Sequence, residues 1–145
     1  MRYNMAAKTY SPKKVSVIVA GVIMAGYAEG SFISVERSAD AFTKVVGSDG
    51  EVGRVHSADR SGRITLTLQQ TSESNDVLSA LQIADEFSLT GKFPVIVKDN
   101  NGTSLYHGMD AWIVKSPNAE YSNSMSPREW MIDVADLTAF SGGNS

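Results

Sequence analysis

A chain of 145 residues, 42% hydrophobic and 20% charged, is long enough for one core without disulfides or metal and too apolar to be disordered. Its 16 acidic and 13 basic residues leave a net charge of −3 with the two signs interspersed, which excludes a general nucleic-acid binder built on a basic stripe. With no cysteine, neither a disulfide framework nor thiolate chemistry is available.

In chain order, residues 1–11 form a polar arm without period, expected to be flexible. Lys13 and Lys14 then precede "VSVIVAGVIMAGYA", the outline of a signal peptide. The run is too short to span a bilayer, rich in Val and Ile, and broken by Gly21 and Gly26. It reads as two buried strands, Val15–Val19 and Val22–Tyr27. "SFISVER" alternates Phe32, Ser34 and Glu36 against Ile33, Val35 and Arg37, the period of a strand. In the polar segment that follows, Asp49-Gly50 is a hairpin turn signal, with Thr43–Val46 and Glu51–His56 as its legs. Residues 46–60 are expected to extend from the body as a hairpin or loop.

"RITLTLQQTSESNDVLSAL" changes period midway. Ile64, Leu66 and Leu68 alternate with Thr65, Thr67 and Gln69, whereas Val77, Leu78, Leu81 and Ala84 have helical spacing. Ser72 or Ser74 is the expected N-cap, Asp76 faces the positive end of the helix dipole, and Gly91 is the expected C-cap. "PVIVKDNNGTSLY" predicts a second hairpin, with a type I′ turn at Asn101-Gly102, and "AWIVK" continues its return strand. Ser116–Pro127 reads as a loop. In "REWMIDVADLTAF", Trp130, Ile132 and Val134 share one strand face, and residues 141–145 read as a loose tail. The predicted core packs Ile64, Leu66 and Leu68 on Val77, Leu78 and Leu81, with Trp130 and Ile132. The fold class is mainly β with one helix, an α+β sandwich or split barrel in a single domain over 1–145.

Little catalytic chemistry is visible. His56 and His107 each lack a second ligand at metal spacing, no serine sits in a nucleophile elbow, and no glycine-rich loop cradles phosphate. "DNNG" resembles part of a calcium loop but lacks the later Glu. Asn101 begins a glycosylation sequon. Tyr106 and Trp112 have either a core role or a stacking role against a sugar or base. No catalytic residue, metal site or cofactor is read, and nothing selects an enzyme.

The segments "GSFISVERSADAFTKVVGSDGEVGRVHSADRSGRITLTLQQTSESNDVLSAL", "FPVIVKD" and "YHGMDAWI" resemble the tail tube proteins of contractile-tailed bacteriophages, over roughly Lys14 to Phe140. Tubes of contractile bacteriocins and of type VI secretion are related. The resemblance implies a virion protein, made in the host cytoplasm, whose six copies form a ring with one continuous barrel around a lumen. It further implies stacked rings that pass DNA without binding it specifically, and contacts with sheath, baseplate and tape-measure proteins, with no membrane partner. On that basis Ser34, Glu36, Thr65, Thr67 and Gln69 are candidates to line the lumen. An outer surface or a subunit contact is the alternative for the same face. Val46, Gly47, Ser48, Asp49, Gly50, Glu51, Val52, Gly53 and Arg54 are candidates for an arm that grips a neighbour. A different class of function is a monomeric secreted carbohydrate- or peptide-binding sandwich using Tyr106 and Trp112, with a small hydrolase as a third.

Overall fold

The computed structural model describes residues 7–144, which form ten strands, one α-helix and a short 3₁₀ turn at Pro12–Lys14. In chain order the strands are β1 (Val15–Val19), β2 (Val22–Ile23), β3 (Ile33–Arg37), β4 (Phe42–Val46), β5 (Val52–His56) and β6 (Gly62–Leu68). The helix α1 (Ser74–Ser88) follows, and then β7 (Phe93–Asp99), β8 (Leu105–Ile113), β9 (Arg128–Val134) and β10 (Thr138–Phe140). Eight strands make one antiparallel sheet in the order β2-β1-β7-β8-β9-β6-β3, with β10 against β8, while β4 and β5 pair only with each other.

Period-two patterning explains how the sheet folds around its core. Val17 and Val19, Phe93, Val95 and Val97, Ala111 and Ile113, Trp130, Ile132 and Val134, and Ile64, Leu66 and Leu68 are all buried in one cluster. A single sheet can present every inward residue to one cluster only by curving round it. Helix α1 covers the cluster with Leu78, which is fully buried, and with Val77 and Leu81, which pack at its margin. Trp130 sits beneath the helix and donates its indole N–H to Asn75 Oδ1 at 2.9 Å, so a buried polar edge is satisfied.

Several local expectations change. The second apolar strand shrinks to Val22–Ile23, both exposed, and only Met24 beyond them is buried. Ala84, read as part of the buried helix stripe, faces solvent. The helix begins after Glu73, which makes no side-chain cap bond. Ser72 and Ser74 instead direct their hydroxyls to the preceding chain: Ser74 Oγ accepts the Ala25 N–H at 3.0 Å and Ser72 Oγ donates to the Ala25 carbonyl. Ser72 Oγ also accepts the Ser74 N–H, a cap-like bond one residue early.

At the other end Leu89, not Gly91, takes the left-handed conformation, with φ 61°. Gly91 is required for a different reason: a Cβ there would lie 2.9 Å from the Asp85 backbone. Neither Asn101 nor Gly102 has positive φ, so the turn is not type I′. Asp99 accepts the Gly102 N–H, and Asn101 is buried with its amide bonded to Ser11 and Asp99, which also removes it as a glycosylation acceptor. The turn with two positive φ values is Ala20-Gly21, at 52° and 81°, which joins β1 to β2. Of the ends expected to be loose, Met1–Ala6 and Ser145 lie outside the described residues. The described parts of both ends are tied at several points: Asn144 donates to the Thr9 carbonyl, Gly143 accepts from Thr103, and Gly142 and Ser104 exchange two bonds.

Candidate functional site: an outward sheet face and an unpartnered hairpin

Where one face of an alternating strand is buried, the other is displayed. Strands β3, β6 and β9 lie side by side, and register assembles their outward residues into rows. Ser34 lies opposite Thr65, which lies opposite Met131. Glu36 lies opposite Arg63, which lies opposite Asp133, and Asp133 lies opposite Trp112 on β8. Thr67 lies opposite Glu129. Ser34, Glu36, Thr65 and Thr67 therefore share one face, with the serine and the glutamate exposed and the threonines half-buried. Gln69 is exposed just past the end of β6, where its N–H bonds the Gly26 carbonyl at 2.7 Å. Phe32 precedes β3 and packs against Tyr27, with ring centroids 5.0 Å apart and the planes tilted by 42°.

The face is less neutral than the threonines suggested. Arg63 stands on it, donating from Nε to Asp133 Oδ1 at 2.8 Å and from Nη2 to Asp133 Oδ2 at 3.4 Å. That hydrogen bonding, and then the carboxylate's charge, raises the guanidinium pKa above its ordinary value. Glu129, Met131 and Asp133 were not singled out from the sequence. The signal was present, because the alternation that buries Trp130, Ile132 and Val134 turns exactly those neighbours outward. Three carboxylates against one guanidinium give Glu36, Arg63, Glu129 and Asp133 a net charge of −2.

The second feature is the hairpin of β4 and β5. Its loop is a type I turn: Gly47 accepts the Gly50 N–H at 2.9 Å and donates to Glu51 at 2.8 Å, and Gly50 takes φ 87° as the bulge residue. All ten strand residues are exposed, among them Phe42, Val45, Val46, Val52 and Val55. The two faces differ. Phe42, Lys44, Val46, Val52, Arg54 and His56 share one, where Arg54 lies 4.3 Å above the Phe42 ring, and Thr43, Val45, Gly53 and Val55 share the other. At the hairpin's root Asp59 accepts the Ser61 hydroxyl at 2.6 Å and the Ser61 N–H at 2.9 Å, which hold its carboxyl pKa below the ordinary value.

Tyr106 and Trp112 do not form a joint platform. The β7–β8 ladder shifts register between Phe93 and Val95, so Tyr106, opposite buried Val97, packs on the core while Trp112 lies on the outward face. His56 is in the hairpin beside Phe42, and His107 is half-buried on β8. Among the described residues no three His, Asp or Glu side chains gather as a metal site would require.

With this geometry in hand, similarity to known proteins is informative. The family described as bacteriophage PhiTE tail tube protein matches residues 5–142. Structural protein ORF10 of Pseudomonas phage KPP10 is 40% identical over 144 residues, covering 94% of this chain and 83% of that protein. Among solved structures, a chain of the anti-feeding prophage tube-terminating cap is similar, with TM-score 0.62 at 9% identity, covering 97% of this chain and 96% of that one. A chain of the sheath–tube complex of the PVC extracellular contractile injection system has TM-score 0.56 at 17% identity, covering 92% of each. At these identities the structural likeness is one of fold.

Proposed function

The chain belongs to the bacteriophage PhiTE tail tube protein family and is a structural subunit of a phage tail tube, a virion component; from that premise we propose how it assembles and what its faces do. Six copies close into a ring, rings stack, and the outward face of β3, β6 and β9 lines the channel through which DNA leaves. Its work is mechanical, without catalysis, and its further contacts are with sheath, baseplate and tape-measure proteins. Ser34, Glu36, Thr65, Thr67 and Gln69 line or border the channel, and residues 46–54 form the gripping arm.

The hairpin carries this reading. A two-stranded hairpin alone in water is marginal, and this one has valines on both faces and no third strand among the described residues. A neighbouring subunit is the cover that such an arm requires. Strand β3 supports the same conclusion, because among the described residues it pairs only with β6 and leaves one edge, with the outward-pointing backbone groups of alternate residues, open for another copy. Deleting Gly47–Gly53 is expected to leave a folded subunit that no longer makes rods in negative-stain images. Rods at normal yield from the deletion variant would remove the arm from the assembly.

A further inference from the structure

A cation on the wall of a DNA channel is a hazard, because each Lys or Arg that meets phosphate adds a favourable contact and releases counterions. Arg63 is such a cation, on the outward face with its side chain 43% exposed. Its position in the sheet is unlike that of a free surface arginine. Two guanidinium nitrogens are engaged by the two oxygens of Asp133 on one neighbouring strand, and Nη1 lies 3.7 Å from Met131 Sδ on the same strand. Glu36 stands opposite on the other neighbouring strand. The Arg60–Asp136 pair, by contrast, is held through one nitrogen, with side chains 48% and 69% exposed.

We propose that Asp133, with Glu36 across the strand, is a positioning residue that lays Arg63 flat along the sheet and withholds its charge from passing phosphate. The inference rests on the channel reading of this face. Asp133 takes the Nε–H and one Nη2–H of the five guanidinium donors while Nη1 is turned toward Met131 Sδ, and a planar guanidinium held this way must break both carboxylate bonds to swing into the lumen. The wall then has the chain-positioning benefit of a cross-strand ion pair without the friction of a mobile cation.

The experiment uses phage particles carrying variant tubes and follows triggered DNA release in single particles at low and high salt. Asp133→Asn keeps the shape of the side chain, leaves the four-residue set at a net −1 and replaces Arg63's bidentate carboxylate by a single neutral acceptor, which loosens its hold. Glu129→Gln reaches the same net −1 with Arg63 still held. Asp133→Asn is expected to slow release severalfold more than Glu129→Gln at low salt, and the gap is expected to close in high salt, where screening shortens to about 3 Å at 1 M. The double variant Arg63→Gln/Asp133→Asn restores a net −2 without any cation and is expected to recover the parental rate. Equal slowing by the two single variants would show that only net charge matters and would overturn the clamp. If Asp133→Asn has no effect while paired lysines at positions 65 and 67 do slow release, the clamp fails and the channel reading stands. If neither change acts, both fail. Should Asp133→Asn reduce rod yield, the comparison moves to Asp133→Ser, judged by the same rescue through Arg63→Gln.

Discussion

Leu89 ends helix α1 at φ 61°, in a region that costs an L-residue with a Cβ about 1–2 kcal/mol, and it does so with 83% of its surface exposed. The conformation lets the Leu89 N–H reach the Asp85 carbonyl at 2.7 Å, a backbone bond that a glycine would keep without the Cβ strain, so Leu89→Gly is expected to stabilise the isolated subunit by roughly 0.5–1 kcal/mol in chemical denaturation. A destabilised variant would mean that the leucine side chain packs in a way its exposure does not suggest. This position also shows the limit of reading single residues. Gly91 is the better-looking C-cap by residue type, yet Asp85 takes the space where its Cβ would be, and the cap falls two residues earlier. Asn101-Gly102 has the composition of a type I′ turn, but tertiary bonds between Asn101 and Ser11, with a local bond from its amide to Asp99, hold a different one. The actual pair of positive φ values is at Ala20-Gly21, where alanine gives no warning.

Elements were more legible than their ends, because burial enforces periodicity over several residues at once. Strand β6 is the clearest case: Gly62, Ile64, Leu66 and Leu68 are buried, and the residues between them are not. Leu66 is fully buried between β3 and β9, opposite Ile33 and Trp130. Leu66→Ala is expected to cost about 2–5 kcal/mol, read as a lowered denaturant midpoint with unchanged slope. A loss of only a few tenths would mean that the strand's faces are the reverse of those described. Helix α1 was legible on its inward face through Val77, Leu78 and Leu81. Its start was not, because Ser72 and Ser74 spend their hydroxyls on Ala25, a residue 47 and 49 positions away. The hairpin of β4 and β5 was visible from Asp49-Gly50 and its flanks, since a local turn needs no distant partner to be recognised.

At the scale of the molecule, sheet order and register are what the chain pattern could not show. Alternation in β6 announced an outward face, but only pairing with β3 and β9 sets Ser34 beside Thr65 and Arg63 between Glu36 and Asp133. That arrangement makes a polar, net-negative outward face whose uncharged middle row is Ser34, Thr65 and Met131. Thr65 and Thr67 are the positions at which to test it, because their side chains are half-buried and their backbone bonds lie in the ladder whatever residue is present. Replacing both by lysine adds two positive charges per subunit, enough to cancel the net −2 of the four charged neighbours. A lysine at 65 would have Ser34 and Met131 as its cross-strand neighbours and no carboxylate opposite it, whereas a lysine at 67 would face Glu129 as Arg63 faces Asp133, so position 65 carries the larger part of the effect. In a stacked tube those cations would repeat in every ring, and DNA would meet a new set of phosphate contacts at each step. Thr65→Lys/Thr67→Lys is therefore expected to leave rods intact in negative stain and to slow DNA delivery in an infection assay, more strongly at low ionic strength. Loss of rods would instead place the two threonines in a contact between subunits. Normal rods with normal delivery would put them on the outside of the tube, and the channel would have to be lined by the outward residues of other strands.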